Sequence, residues 1–392
     1  MGARMAKPLD SNPHTPQAPL TPQVANPLVS TPDFSNKKFE GWTATDDDAV
    51  TGFREFDKDG DFDEWDFPAS MQQAKVGADR SQCQIVIPLD GISRVHLRLE
   101  RTLNALRVYD MKSKNGTSLR GSRLEPLVGT HIDVGDLITL QGSREVVLFA
   151  LNDAMKKHRS TVLDILGTGY LRTTDQVMQD AAQGSNPLLL VGDASSCVTE
   201  LASLIHRISP RRKKPLVHVL EPPSKAADGS SLVKSADKST LVLALRQKAK
   251  PLKAAFVNAL TSKSYSGRLI VVADSPQDAR SALGEDFSNM LLNITIRPLA
   301  YRRQDIPALI DRHFARSTAP TLRFADLTSE NQHALREGRW ERNLVRLRQV
   351  VDTLAAYTQQ PGYRGAAKAV GKSLSSAWRL LHRVGLRAPL FA

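Results

Sequence analysis

The period of the apolar residues changes along this chain, and those changes restrict its fold more than any other feature of the sequence. Between residues 72 and 151, short runs such as "QIVIP", "LRVYD" and "DLITL" are separated by the turn pairs "DG", "NG" and "GD". Short strands with frequent tight turns are typical of an all-β sandwich. From residue 160 to 319, apolar strand-like runs alternate with helical patterns, which predicts an α/β domain. Residues 320–358 follow a helical period, so we expect several domains.

Composition narrows the class of protein. The chain has 392 residues and a net charge of +12, which favours a polyanionic partner. Its two cysteines, Cys83 and Cys197, are isolated from each other, which fits a reducing cytoplasm and argues against a cysteine-based metal site. No apolar run reaches the roughly 18 residues of a membrane helix, and the N-terminus lacks a signal-peptide pattern. We therefore expect a cytoplasmic protein without membrane contact, metal or cofactor.

The first 70 residues are predicted to be a disordered tail. Residues 1–39 are rich in Pro, Thr, Asn and Gln, and three Thr-Pro pairs at Thr15, Thr21 and Thr31 are candidate sites for a Ser/Thr kinase. Residues 40–67 are acidic, with aromatic residues between the acids. They are either a solvated tail or an acidic-aromatic peptide that docks on a basic surface.

Residues 71–152 contain four ordered motifs that resemble a forkhead-associated (FHA) domain, the phosphothreonine-binding sandwich. The motifs are Gly77, then "SRVH" at 93–96, then "SKNGT" at 113–117, then "GD" at 135–136. The resemblance implies that Ser93, Lys114 and Asn115 line a phosphothreonine pocket and that His96 holds its loops. A phosphate dianion requires several donors and cations that converge from rigid loops. The predicted phosphopeptide-binding residues are Arg80, Ser93, Arg94, Lys114, Asn115 and Thr117.

One position departs from the FHA pattern. The family usually places an Arg that contacts the phosphate directly after the motif glycine, and this chain has Ala78. Arg80, two residues on, is the nearest cation that could substitute for it. We therefore expect phosphopeptide binding that is weaker than, or different from, that of the family.

The stretch "LLLVGDASSCVTE" at 188–200 has an apolar run followed by Gly and small residues, as in a strand that enters a phosphate loop. With "ITIRPLAYRRQDIPALIDRHF" at 294–314 and "RWERNLVRLRQVV" at 339–351, it resembles the AAA+ domain of bacterial enhancer-binding proteins, the activators of sigma-54 RNA polymerase. The resemblance implies a core over 160–319 and a helical lid over 320–358.

The residues that would perform the chemistry of such a domain are replaced. The phosphate-binding Lys position is Val198, and the loop glycines are Ser195 and Cys197. The Asp-Glu, Thr-Asn and lid Arg positions are 244–245, 273–274 and Val345, and they read Ala-Leu, Ala-Asp and Val. Phosphoryl transfer requires positioning and electrostatic stabilisation together. We therefore predict a pseudo-ATPase and no enzymatic activity.

The last segment, residues 359–392, contains Lys and Arg but no acid, and "GYRGAAKAVGKSLSSAWRLLHRVGL" resembles the Fis-type helix-turn-helix of such activators. The pattern places Ser375, Ser376 and Arg379 toward a DNA major groove, with Lys372 and Arg383 near phosphates. Trp378 is expected in the core. The alternative is a basic helical hairpin used for dimerisation.

Taken together, these features predict a phosphothreonine-responsive bacterial transcription regulator that binds DNA and lacks ATPase activity. Its partners would be DNA, a phosphothreonine protein or its own tail, and a Ser/Thr kinase, with sigma-54 activators or RNA polymerase as further candidates. The alternative is a phospho-dependent adaptor or anti-activator that forms mixed assemblies with intact sigma-54 activators.

Overall fold

The computed structural model describes residues 49–55, 63–102, 105–142, 145–167, 171–184, 186–220, 226–245, 250–262 and 265–392. Most of the predicted tail, including Thr15, Thr21 and Thr31, lies outside these residues.

Two sheets form a sandwich at the start of the described chain. One sheet has the strand order β2-β1-β11-β10-β7-β8 and the other β4-β3-β5-β6-β9. Alternate side chains of these strands point into one apolar core, as the sequence period requires. The strands are β1 (Gly52–Glu55), β2 (Glu64–Asp66), β3 (Gln73–Gly77), β4 (Ile85–Val86), β5 (Leu97–Thr102), β6 (Ala105–Asp110), β7 (Thr117–Leu119), β8 (Ser122–Arg123), β9 (Thr130–Ile132), β10 (Leu137–Leu140) and β11 (Val146–Leu151).

The prediction that residues 1–70 form a disordered tail is wrong for its last part. Strand β1 pairs antiparallel with β11, and β2 pairs with β1. Phe53 and Phe67 are fully buried in the sandwich core, where their rings meet edge to face. The acidic composition concealed these strands, because β1 carries one apolar side chain among polar and charged ones, and its burial comes from the strands paired on either side.

Five parallel strands form a separate sheet in the order β13-β14-β15-β12-β16. Leu188 and Leu190 of β12 enter one core, while Leu189 and Val191 enter another on the opposite face, so helices cover both faces. The strands are β12 (Leu188–Val191), β13 (Leu216–Val219), β14 (Thr240–Leu245), β15 (Arg268–Ala273) and β16 (Leu292–Thr295). The helices of this part are α1 (Asp153–Leu166), α2 (Leu171–Gln183), α3 (Val198–Ile208), α4 (Ala226–Ser235), α5 (Ala254–Thr261), α6 (Pro276–Leu283) and α7 (Glu285–Asn289).

The remaining helices form the C-terminal part of the chain. They are α8 (Ile306–Ala315), α9 (Ser329–Glu337), α10 (Asn343–Gln359), α11 (Tyr363–Ala369) and α12 (Leu374–Arg383). Leu347 and Leu354 of α10 lie in the same apolar core as Leu381 of α12 and Leu390. The segment predicted as a separate helix-turn-helix domain, residues 359–392, therefore shares one core with the lid.

A buried ion cluster joins the sandwich to the helices that follow it. The carboxylate of Asp175 on α2 accepts hydrogen bonds from Arg54 Nη1 of β1 and Arg159 Nε of α1, each at 3.0 Å. Arg54 also pairs with Glu64 of β2. Burial and the charge of Arg159 lower the pKa of Arg54, while Asp175 and Glu64 act in the opposite direction. The sandwich therefore contacts α1 and α2 through charged groups as well as apolar ones.

None of the helices in the described part of the chain is both long and apolar enough to cross a membrane.

Candidate functional site

Two loops at one end of the sandwich hold each other in place. The Oγ atom of Ser93 accepts a hydrogen bond of 3.0 Å from the backbone N–H of Lys114. The amide nitrogen of the Asn115 side chain donates to the carbonyl of Gly91, also at 3.0 Å. Because a hydroxyl can both accept and donate, the hydrogen of Ser93 Oγ is still available for an anion.

The buried side chain of His96 connects the same two loops. This side chain has no exposed surface. Its Nδ1 accepts a hydrogen bond of 3.2 Å from the backbone N–H of Ser93, and its Nε2 lies 3.2 Å from the carbonyl oxygen of Gly116. Only the neutral ring with a hydrogen on Nε2 satisfies both contacts. Burial lowers the pKa of His96, although the Gly116 carbonyl and Asp110 act to raise it.

Asp110, at the end of β6, organises the second loop. Its carboxylate accepts from the backbone N–H and Oγ of Ser113 and from Oγ1 of Thr117 at 2.6 to 3.0 Å. Burial acts to raise the pKa of Asp110, but these hydrogen bonds outweigh it and lower the pKa. Asp110 is not among the residues predicted from the sequence, although its Asp-x-x-Ser spacing is a signal for such a loop.

The structure separates the predicted phosphopeptide residues into two groups. Arg80, Arg94 and Lys114 are exposed, and Ser93 and Asn115 are partly exposed at the rim of the loops. Thr117 differs from this prediction, because its side chain is buried and its hydroxyl donates to Asp110. Thr117 therefore supports the loop and does not face solvent.

The strand end at 77–79 lies directly beside the first loop. The N–H of Ala78 donates to the carbonyl of Ser93, and the N–H of Asp79 to that of Arg94. A Cβ on Gly77 would lie 2.3 Å from the Arg94 carbonyl oxygen, so only glycine permits this approach. Ala78 is thus well placed for contact with the loop, but it brings no charge. Hydrogen bonds from Ser81 and Gln82 lower the pKa of the nearby Asp79, so this carboxylate stays ionised beside the exposed cations.

The loop after β12 lies where the strand order of the parallel sheet reverses, a position at which α/β sheets commonly bind ligands. Here the Asp193 carboxylate accepts from the N–H of Ser195 at 2.7 Å and also from its hydroxyl. Cys197 has a positive φ of 63° and is buried, and burial raises the pKa of its thiol to about 11. Val198 is fully buried at the start of α3. An acidic side chain and apolar residues thus occupy the places where a phosphate loop presents amides and Lys.

Helix α12 and the turn before it present the predicted DNA-binding residues. Ser373 caps the helix, with its Oγ 3.2 Å from the N–H of Ser376. Nε of Arg379 donates to the carbonyl of Ser375 at 3.1 Å. All five predicted residues are exposed or partly exposed: Lys372, Ser375, Ser376, Arg379 and Arg383.

The prediction that Trp378 belongs to the core is wrong. Its side chain is 46% exposed and stacks on His382, one turn further along α12, with ring centroids 4.0 Å apart. Leu374, one turn earlier, is 44% exposed. The buried face of α12 consists instead of Ala377, Leu380 and Leu381. Trp378 follows Ala377 directly and therefore points away from that face.

No group of His, Cys, Asp and Glu side chains that could hold a metal ion is present among the residues that the structure describes.

The two sheets and the linked loops define a sandwich with a rim suited to an anion. Residues 74–141 match the family model described as "FHA domain", and this part of the chain is therefore an FHA domain. The match covers the sandwich only, so the classes of the α/β and C-terminal parts remain predictions.

Solved FHA structures are similar to a part of the chain. The N-terminal FHA domain of Rad53p from S. cerevisiae, solved in complex with a phosphothreonine peptide, is 21% identical over 27% of this chain and 98% of its own, with a TM-score of 0.23. An FHA domain of an Arabidopsis thaliana hypothetical protein is 24% identical over 29% of this chain and 94% of its own, with a TM-score of 0.23. The FHA domain of the CT664 protein from Chlamydia trachomatis is 21% identical over 25% of this chain and 96% of its own, with a TM-score of 0.22. No curated protein matches the chain.

Proposed function

We propose that this protein is a phosphothreonine-responsive bacterial transcription regulator that binds DNA and does not hydrolyse nucleotides. The observation that carries the proposal is the FHA domain at residues 74–141, with its interlocked loops and exposed cations. The other parts of the proposal depend on the resemblances of the α/β and C-terminal segments.

The loop rim has the chemistry that a phosphothreonine requires. Ser93 has an available hydroxyl hydrogen, and the exposed Arg94 and Lys114 supply positive charge from the same two loops. Charge-assisted hydrogen bonds are roughly twice as strong as neutral ones, so these groups would account for most of the affinity. We propose that Arg80 supplies a further cation in place of the family's usual Arg.

Binding of phosphorylated and unphosphorylated peptides tests this part of the proposal. Peptides centred on Thr15, Thr21 and Thr31 would be titrated against the full chain, since the tail is a candidate ligand. We expect binding of at least one phosphorylated peptide and a loss of that binding in Ser93→Ala and Arg94→Ala. Arg107→Ala, which removes an exposed cation from the middle of β6, is the matched control. Equal affinity for phosphorylated and unphosphorylated forms would contradict a phosphothreonine pocket.

The absence of ATPase activity is supported by the loop after β12. The Asp193 carboxylate already accepts from the Ser195 N–H, so an incoming phosphate would meet a negative charge where it needs donors. Helix α10 packs over this turn, and Arg348 of α10 pairs with Glu200 of α3 at 2.6 Å. We expect no turnover of ATP with magnesium above background. Hydrolysis that is lost in Asp193→Ala would overturn this proposal.

DNA binding is supported by the surface of α12, where polar and cationic side chains are exposed while the apolar ones are buried. A gel-shift series with the full chain tests it. We expect Arg379→Ala and Arg383→Glu to weaken binding, because the first removes a candidate base contact and the second reverses the charge at a phosphate contact. If the parent does not shift DNA, this part of the proposal fails.

The adaptor function remains the second candidate, and one observation favours it. Trp378 and Leu374 expose apolar surface on α12 that a helix of a partner protein could cover. A parent chain that shifts DNA no differently from its Arg379→Ala and Arg383→Glu variants would favour this candidate. Loss of binding in those variants would favour the regulator.

A further inference from the structure

Three arginines meet where α10 begins and α12 ends. Arg342 is the residue before the first turn of α10, Arg346 follows one turn later, and Arg383 is the last residue of α12. The two helices contact each other, and the charges of Arg342 and Arg383 both act on Arg346. Arg342 and Arg383 are exposed, whereas Arg346 is only 9% exposed. We call this group the arginine junction.

The junction is electrostatically unbalanced. Burial, followed by the charges of Arg383 and Arg342, lowers the pKa of Arg346, and Glu341 is the one acid that acts in the opposite direction. Nε of Arg346 is buried and has no hydrogen-bond partner. Buried donors normally find a partner, because an unmet one loses the hydrogen bonds it made to water. An anion beside the accessible end of the Arg346 side chain would relieve the repulsion among the three cations.

The position of the junction suggests which anion it binds. Arg383 lies on the same helix as Ser375, Ser376 and Arg379, the predicted DNA-binding residues, and is itself expected near a phosphate. A duplex that contacts α12 carries phosphates at short intervals along each strand. Arg342 and Arg346 would therefore extend the cationic surface from α12 onto α10.

We propose that Arg342 and Arg346 of the lid helix form, together with Arg383, a binding site for a DNA backbone phosphate. This inference rests on the proposed DNA binding of α12, and it extends the DNA surface beyond residues 359–392. The site adds affinity without sequence preference, since a phosphate contact positions the duplex but carries no base information.

Salt dependence of binding to a random-sequence duplex tests the inference with the full chain. Each phosphate contact contributes about 0.9 to the slope of log K against log salt. We expect Arg346→Met and Arg342→Ala each to lower this slope by about 1 and to weaken binding about tenfold at moderate salt. Methionine preserves the apolar stem of Arg346, so packing is largely retained. Arg346→Lys preserves the charge and should retain most of the slope.

Arg280→Ala is the matched control, because it removes one exposed cation from α6 of the α/β part. Its slope should equal that of the parent. If Arg346→Met also keeps the parental slope while Arg379→Ala and Arg383→Glu weaken binding, the junction inference is wrong and DNA binding by α12 stands. If the parent binds no duplex at all, the proposed DNA binding fails first. Thermal unfolding of each variant shows whether a smaller salt slope results from unfolding of the protein. If Arg346→Met does not fold, Arg342→Ala, which changes an exposed residue, decides the test.

Discussion

Among single residues, His96 most directly couples the sandwich loops to the state of a titratable group. The neutral ring links the backbone of Ser93 to that of Gly116, and protonation would remove its acceptor. The arrangement of the proposed phosphothreonine pocket therefore depends on a proton that the folded protein excludes.

This dependence predicts acid sensitivity. Since burial lowers the pKa of His96 in the folded state, the unfolded chain takes up the proton first as pH falls through the ordinary histidine value of about 6.5. Stability is thus fully present above that value and decreases below it. The free energy of unfolding, measured in denaturant at pH 7.5 and 5.5, should fall less in His96→Gln than in the parent. Equal losses in the two proteins would show that His96 does not contribute.

Ala78 predicts a gain of function at the same rim. Its N–H is bonded to the Ser93 carbonyl, so a long cationic side chain at this position starts within reach of the phosphate loops. We expect Ala78→Arg to bind a phosphothreonine peptide about tenfold more tightly, as a charge-assisted hydrogen bond would provide. Ala78→Met is the control of similar length without charge. If the methionine variant binds as tightly as the arginine variant, apolar contact explains the gain.

At the scale of elements, the C-terminal segment is held by a side chain from another helix. Nδ2 of Asn331 on α9 donates to the carbonyls of Arg387 and Pro389 at 2.8 and 3.0 Å, and its Oδ1 accepts from the N–H of Arg387 at 2.9 Å. Asn331 is buried, so these backbone groups have a partner that water does not replace. The segment after α12 is thereby fixed against α9.

Removal of this clamp should destabilise the helical part. Asn331→Ala leaves backbone donors and acceptors unmet, at a cost of about 2 kcal/mol. We expect a lower free energy of unfolding by that amount, together with weaker DNA binding because the end of α12 is less firmly held. His333→Ala, an exposed position on α9, should change neither quantity. An unchanged stability in Asn331→Ala would mean that the apolar core alone holds the segment.

At the scale of the whole molecule, the sandwich and the following helices belong to one compact unit that spans Thr43–Ala392. The Arg54–Asp175–Arg159 cluster connects β1 to α1 and α2, and an exposed pair between Lys156 and Asp66 lies near the same junction. These ion pairs therefore link the sandwich to the helices that follow it.

The buried cluster predicts a large effect from a small change. Asp175→Asn removes the carboxylate that Arg54 and Arg159 share, and breaking a buried ion pair costs at most about 3 to 5 kcal/mol. We expect a lower unfolding temperature and separate transitions for the sandwich and the rest of the chain in calorimetry. Asp66→Asn at the exposed pair should change little, as surface pairs generally do. A single transition at the parental temperature in Asp175→Asn would show that the cluster does not hold the parts together.

Much of the local structure follows from the sequence. The alternating runs of residues 72–151 predicted the sandwich, and the family match confirms its class. Residues 188–191 are apolar at every position because both faces of their strand are covered. Ser373 caps α12, because a short polar side chain before an apolar period can satisfy a free N–H.

Other features required the tertiary structure. The acidic segment around β1 reads as a tail until β11 and β2 supply its pairing partners, since Phe53 is the one apolar side chain that β1 itself carries. Trp378 reads as core until α10 and α11 cover the other side of α12. The charge of Arg383 acts on Arg346 only because α12 contacts α10. Sequence by itself determined periods, caps and motif order, because these depend on neighbours along the chain. Only the fold decided which faces were covered and which charges met, because those depend on residues far apart in sequence.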